Sequence, residues 1–223
     1  MFMSHMTLSP TMAGKLLFEG EYAVHQAVWK LFADHPDRFR DFLYRHDMQR
    51  GGLVVHAVSM RPPRPDGGPW VIATKPYTPD LRRGDRLRFT LRVNPVRTKH
   101  AGPETRGKRV DVIMDHKTRL KADNVPPDRR PTESAMAQNL GCAWLLRRAD
   151  GLGLAIEEDT LLAHSYTTLR FSKPAAQTKI QIATLDFEGF ATVADPDKAL
   201  AAMTHGVGPA KGFGCGLILA RRA

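Results

Sequence analysis

The sequence predicts an α+β fold in which one order of elements, β-α-β-β-α-β, runs twice along the chain. Three observations predict it. Short runs alternate apolar and polar side chains, the period of a half-buried strand. Two longer stretches instead repeat their apolar residues at helical spacing, one in each half. With 223 residues, 42% of them hydrophobic, the chain can bury a sizeable core and suits two domains of about 100 residues each.

In the first half, Met1 to Leu8 alternates and reads as the opening strand. A helix follows over Gly20 to Phe32, where Val24, Ala27, Val28 and Leu31 fall on one face. Asp41 to Asp47 and Leu53 to Met60 then read as a hairpin turned at Gln49-Arg50-Gly51-Gly52. Trp70 to Ala73 is a short β segment, and Asp85 to Val93 alternates over a full strand before Asn94-Pro95 stops it.

The second half repeats the order. Lys108 to Met114 reads as a strand and Glu133 to Arg148 as a helix with Thr132 at its N-cap. Thr160 to Phe171 and Thr178 to Val193 form a second β pair around the loop from Ser172 to Gln177. Asp195-Pro196 supplies an N-cap and first-turn proline for a helix through His205, and an apolar strand closes the chain from Leu217. The basic, proline-containing stretch from His116 to Arg130 reads as a loop. Two such halves predict tandem ferredoxin-like domains over 1–97 and 98–223, a fold used by many RNA-binding sheets.

Charge narrows the partners. Lys and Arg number 33 against 23 Asp and Glu, for a formal charge of +10. Such a balance favours a polyanion, nucleic acid before anionic membrane. No stretch approaches the roughly 18 apolar residues of a membrane span, and MFMSHMTLSP lacks the charged start and apolar centre of a secretory signal, so a soluble cytoplasmic protein is expected. Cys142 and Cys215 are too few for a disulfide framework and have no second Cys at metal-site spacing. No Asp/Glu/His cluster has the spacing of a magnesium or zinc site, so no cofactor is expected.

Two stretches carry chemistry. On the first helix, Tyr22, His25, Gln26 and Trp29 share a second face. A Tyr and a His three positions apart project side by side, so a hydroxyl and an imidazole can meet one phosphodiester. Histidine titrates near neutral pH and can give or take a proton there. A lone surface histidine would need no such role, and the aromatic neighbours suit a core equally well. Near the end of the chain, Gly206, Gly208, Lys211, Gly212, Gly214 and Gly216 crowd into eleven residues. Glycines there leave backbone N–H groups unshielded and free to adopt positive φ, which suits a loop wrapped round a phosphate.

These residues resemble a known family, the CRISPR-associated endoribonucleases of the CasE type, which process precursor CRISPR RNA in type I-E systems. The resemblance covers nearly the whole chain. Its marks are Tyr22-x-x-His25-Gln26-x-x-Trp29-Lys30, Leu91-Arg-Val-Asn94-Pro95, Gly107-Lys108-Arg109-Val110, Phe187-Glu188-Gly189 and, most specific, Gly206-Val-Gly208-Pro-Ala-Lys211-x-x-Gly214-x-Gly216-Leu217. The chain departs from the pattern in its longer, more basic stretch between Met114 and Thr132 and in the bulk of Phe213 beside Gly212.

The resemblance implies metal-independent cleavage at the base of a CRISPR repeat RNA hairpin. The upstream ribose 2′-hydroxyl attacks the phosphate, leaving a 2′,3′-cyclic phosphate and a 5′-hydroxyl. His25 matches the family's catalytic histidine as general acid or base. Tyr22 matches its tyrosine and positions the reacting groups, because a phenol of pKa about 10 is a poor base at neutral pH. Lys30, five residues on from His25 and off its face, is carried over as a charge stabiliser. RNA grip is expected from Arg170, Lys173 and Lys179 around the second β pair, since similar proteins insert a basic hairpin into the stem groove. A solvated, lysine-protected edge strand is the competing reading. Asn94, Arg97, Lys99, Lys108 and Arg109 form a second basic group, and the resemblance also implies partners in the type I-E surveillance complex. A non-catalytic RNA-binding subunit of the same superfamily remains the alternative, in which His25 and Tyr22 only touch RNA.

Overall fold

A computed structural model describes residues 1–33, 35, 39–100, 102, 107–172 and 179–223. In chain order its elements are β1 (Phe2–Leu8), α1 (Pro10–Phe18), α2 (Glu21–Lys30), β2 (Phe42–Gln49), β3 (Gly52–Ser59), β4 (Val71–Pro76), β5 (Arg86–Val93), β6 (Val96–Lys99), β7 (Lys108–Asp111), α3 (Val112–Ala122), α4 (Glu133–Leu146), β8 (Leu154–Ile156), β9 (Leu162–Ser172), β10 (Lys179–Val193), α5 (Pro196–His205) and β11 (Ile218–Arg222). They form two compact units, one of residues 1–80, 169–182 and 200–218, the other of 81–168, 183–199 and 219–223.

The first unit is built on an antiparallel sheet of order β2-β3-β1-β4. β3 pairs with β1 from Leu53↔Leu8 to Ser59↔Phe2 and with β2 from Gly52↔Gln49 to Ser59↔Phe42, so the second strand of the hairpin slots between β1 and β2. That is the split β-α-β arrangement of a ferredoxin-like half. The expected face of α2 does the packing. Val24, Val28 and Leu31 are fully buried against Met6, Leu53, Val55 and Tyr44. A helix precedes it that sequence reading left out: α1 starts at Pro10, whose fixed φ and missing N–H suit a first helical position after Ser9. Between β3 and β4 the prolines at 62, 63, 65 and 69 withhold N–H donors, and the described chain there forms no helix.

The second unit repeats the topology with a different first strand. Asp85–Val93, read from sequence as the closing strand of the first half, instead opens the second: β5 pairs antiparallel with β10 from Thr192↔Arg86 to Leu185↔Val93 and lies next to β11. Its alternation of buried Leu87, Phe89, Leu91 and Val93 identifies a strand without saying which sheet it joins. β10 separates β5 from β9, and its last residues pair with β8. Both halves are thus α+β, antiparallel and ferredoxin-like.

Two further expectations change here. Lys108–Met114 is a strand only to Asp111, where the Asp111 carboxylate accepts from the N–H groups of Ile113 and Met114 at 2.9 and 2.7 Å and starts α3. The basic stretch from His116 is therefore helical through Ala122 rather than a loop. Thr132 and Asp195 cap α4 and α5 as expected, accepting from Ala135 N–H at 3.2 Å and Lys198 N–H at 3.1 Å. α4 packs close to β10, since a Cβ at Gly141 would come within 2.4 Å of Leu185. Among the described residues no helix is long and apolar enough to cross a membrane.

Candidate functional site

The site belongs to the first unit and is laid out by α2. Tyr22, Gln26 and Lys30 recur every fourth residue and form one row of that helix, while His25 and Trp29 form the next. Lys30 is therefore on the side of Tyr22. A groove of about 830 Å³ runs along that side, lined by Tyr22, Gln26, Lys30, Lys15, Arg170 and Phe171. Arg170, placed by sequence with the second domain, thus shares a groove with Tyr22.

His25 is held by the glycine-rich loop. Its Nδ1 lies 2.6 Å from the Gly212 carbonyl oxygen, which also accepts the Tyr44 hydroxyl at 2.8 Å. A carbonyl can only accept, so Nδ1 carries the hydrogen. In the neutral ring Nε2 then holds the lone pair and is the position that takes a proton. Burial, with Glu21 and Cys215 adding to it, pushes the Tyr44 pKa far up, so its hydroxyl keeps its proton and donates throughout the neutral range.

Aromatic rings surround the imidazole. Phe213 lies at 5.0 Å between ring centroids, and Tyr22 and Trp29 lie at 6.0 Å. Phe171, brought from the end of β9, packs on Phe213 at 4.7 Å and on Tyr22 at 6.3 Å. The bulk of Phe213 therefore fills a wall of this cluster. Sequence reading missed Phe171 and Tyr44 as site residues. Neither lies near His25 in the chain, and only the fold brings them there.

The glycine loop owes its glycines partly to packing. Gly206 and Gly216 sit at φ 77° and 92°, and a Cβ on either would come within 2.8 Å of Leu43 or of the Val207 carbonyl. Gly208 and Gly214 also have positive φ, whereas Gly212 has room for a Cβ. Val207 N–H donates back to Gly216 at 2.9 Å and closes the loop on itself. Lys211 donates to the His205 carbonyl at 2.5 Å. The turn at Lys211–Phe213 packs against both β2 and α2.

Of the other expected RNA contacts, Arg170 lines the groove with Tyr22. Arg170 and Lys179 are exposed in the first unit, and Lys173 falls outside the described residues. In the second unit Arg97 and Lys99 both pair with Asp115, which also holds Arg119. The Asn94 amide donates to the Ala183 carbonyl at 2.6 Å and is taken up by the fold. Lys108 and Arg109, on β7 of the β6–β7 hairpin, remain exposed.

Comparison with known proteins bears on the whole chain. The family model described as CRISPR associated protein matches residues 1–222. The CRISPR system Cascade subunit CasE of Escherichia coli (strain K12) is 31% identical over 216 residues, 96% of this chain and 98% of that protein. The CRISPR-associated endoribonuclease Cse3 of Thermus thermophilus is 28% identical over 234 residues, 98% of each. A solved structure of the CRISPR endoribonuclease Cse3 bound to 19 nt RNA matches with a TM-score of 0.72 and 26% identity, over 99% of this chain and 98% of that one. On a match that runs to the penultimate residue, and on a relative this similar along almost its full length, the chain belongs to the CRISPR-associated protein family that includes CasE and Cse3.

Proposed function

We propose that this protein is an endoribonuclease that cleaves precursor CRISPR RNA at the base of the repeat hairpin and stays on the product as a subunit of a Cascade-type surveillance complex, in the cytoplasm. Its relatives are an endoribonuclease and a Cascade subunit, and a similar protein has been solved with RNA bound. The observation that carries the chemistry is the His25–Gly212 hydrogen bond beside Tyr22. With Nδ1–H held on a carbonyl, every proton His25 exchanges passes through Nε2. The neutral ring takes the proton of the ribose 2′-hydroxyl as its oxygen bonds to phosphorus. As the bond from phosphorus to the 5′-oxygen breaks, the imidazolium returns a proton to that oxygen. The products are a 2′,3′-cyclic phosphate and a 5′-hydroxyl, with no water consumed. Tyr22 orients the reacting phosphate and Lys30, from the same helix row, offsets its charge. Arg170, Lys173, Lys179, Lys108 and Arg109 contribute grip through phosphate contacts.

The test is to incubate the purified protein with a repeat hairpin in excess EDTA and map both product ends. A single cut at the stem base with cyclic-phosphate and 5′-hydroxyl ends is expected. A 5′-phosphate, or cleavage abolished by EDTA, would overturn the mechanism.

A further inference from the structure

We infer that Arg40 and Lys211 form a phosphate subsite beside His25, which takes a backbone phosphodiester of the RNA adjoining the one that is cut. The inference rests on the RNA-cleaving function proposed above. A cavity of about 400 Å³ opens in the first unit, lined by Arg40, Lys211, His205, Thr204, Ser59 and Asp41. Two of these are permanent or near-permanent cations, and each is partly withdrawn from water. Burial pulls the Arg40 pKa below its ordinary value, and burial together with Arg40 itself does the same to Lys211. The two charges thus repel each other within one cavity.

Among the described residues nothing balances them. Asp41, the acid of the cavity, is held by Arg61 through a two-pronged pair at 2.8 and 3.2 Å. Tyr44, which lies close to Arg40, keeps its proton and brings no negative charge. Lys211 satisfies one donor on the His205 carbonyl, an uncharged group. A guanidinium taken partly out of water without a counter-ion is unfavourable unless a ligand supplies the charge. Its planar fork matches the oxygens of a phosphate.

Position decides which phosphate. A Cβ built on Gly212 would lie 3.5 Å from Arg40 Nη1 and 3.6 Å from His25 Cε1, so guanidinium and imidazole flank Gly212 within about 7 Å of each other. With the two groups at most about 7 Å apart, a strand that sets its scissile phosphate at His25 brings an adjoining phosphate within reach of Arg40. No sequence motif marks Arg40, which sits alone ahead of β2.

The experiment uses the full-length protein and a repeat hairpin whose scissile ribose is 2′-deoxy, so that binding is read without cleavage. Methylphosphonates, which are neutral, replace each phosphate flanking the cut in turn. For the wild type, one position next to the scissile phosphate should weaken binding about tenfold or more. Arg40→Gln should weaken binding of the unmodified hairpin similarly, lower the salt slope by about one, and lose nothing further from the methylphosphonate at that position. Additive losses at every position, or an unchanged salt slope, would overturn the subsite. If Arg40→Gln proves misfolded by circular dichroism, the wild-type scan still decides, because a flat profile across the flanking phosphates overturns it alone. Failure of the all-ribose hairpin to be cleaved by wild-type protein would instead count against the proposed function, leaving the scan to judge the subsite on binding.

Discussion

Tyr44→Phe separates positioning from proton transfer at this site. Tyr44 is only 1% exposed, and the change removes a single oxygen that donates to Gly212 at 2.8 Å. The Gly212 carbonyl keeps His25 as a donor at 2.6 Å, so no buried acceptor is stranded and the loss is that of one ordinary hydrogen bond, about 1 kcal/mol. For a chain of this size that corresponds to a fall in Tm of about 2–4 °C. Were the whole amount felt at the imidazole, the rate would fall about fivefold. Because Tyr44 keeps its proton across the neutral range, the pH at which activity turns on and off should not move. Urea unfolding and single-turnover cleavage between about pH 5 and 9 measure the stability, the rate and its pH dependence. A drop of a hundredfold, or a shifted pH profile, would mean that Tyr44 takes part in the chemistry and would refute the assignment of proton transfer to His25 alone. An unchanged stability would refute the hydrogen bond.

Glycines of the loop divide by role: Gly206→Ala, forced to φ 77° against Leu43, should lose about 1–2 kcal/mol in urea unfolding, whereas Gly212→Ala, whose Cβ would make only ordinary contacts with Arg40 and His25, should stay within about 0.5 kcal/mol of wild type. Equal losses would remove the packing explanation. At Asp111, burial raises the carboxyl pKa, so the folded state binds its proton more tightly than the unfolded chain. That contribution to stability is complete below the ordinary carboxyl pKa of about 4 and is lost as pH rises through the raised folded value. Asp111→Asn keeps an acceptor for Ile113 and Met114 N–H while abolishing the titration, so its stability should gain on wild type as pH rises above about 4, and Asp111→Ala should lose about 1 kcal/mol with the cap. A stability gap between Asn and wild type that does not change with pH would contradict the charge-burial argument.

What the sequence made legible was local. The apolar spacing of Val24, Val28 and Leu31 specified the buried face of α2, and with it the placing of Tyr22 and His25 on other rows. Helix starts at Thr132 and Asp195 were readable because a side chain within three residues supplies the cap. The start of α1 at Ser9-Pro10 carried a first-turn proline, as Asp195-Pro196 does, and went unread, although the Ser9 side chain makes no cap bond. Asp111 was hidden differently: Val110, Val112 and Met114 alternate as a strand would, and only the carboxylate's reach to two N–H groups ends it. Pairing partners were not readable at all. Whether β5 joins one sheet or the other depends on contacts about a hundred residues away, along β10. The same holds for the site, where Gly212, Tyr44 and Phe171 reach His25 or its neighbours from distant parts of the chain.

His25→Ala, read for rate and affinity on the same repeat hairpin, tests the central claim most directly. His25 is assigned to move a proton through Nε2 and not to anchor the RNA. Single-turnover cleavage should therefore fall about a hundredfold or more while the Kd for a 2′-deoxy-blocked hairpin stays within about threefold of wild type. A parallel loss of rate and affinity, or cleavage that survives at near wild-type rate, would contradict it and leave the first helix as an RNA-binding surface.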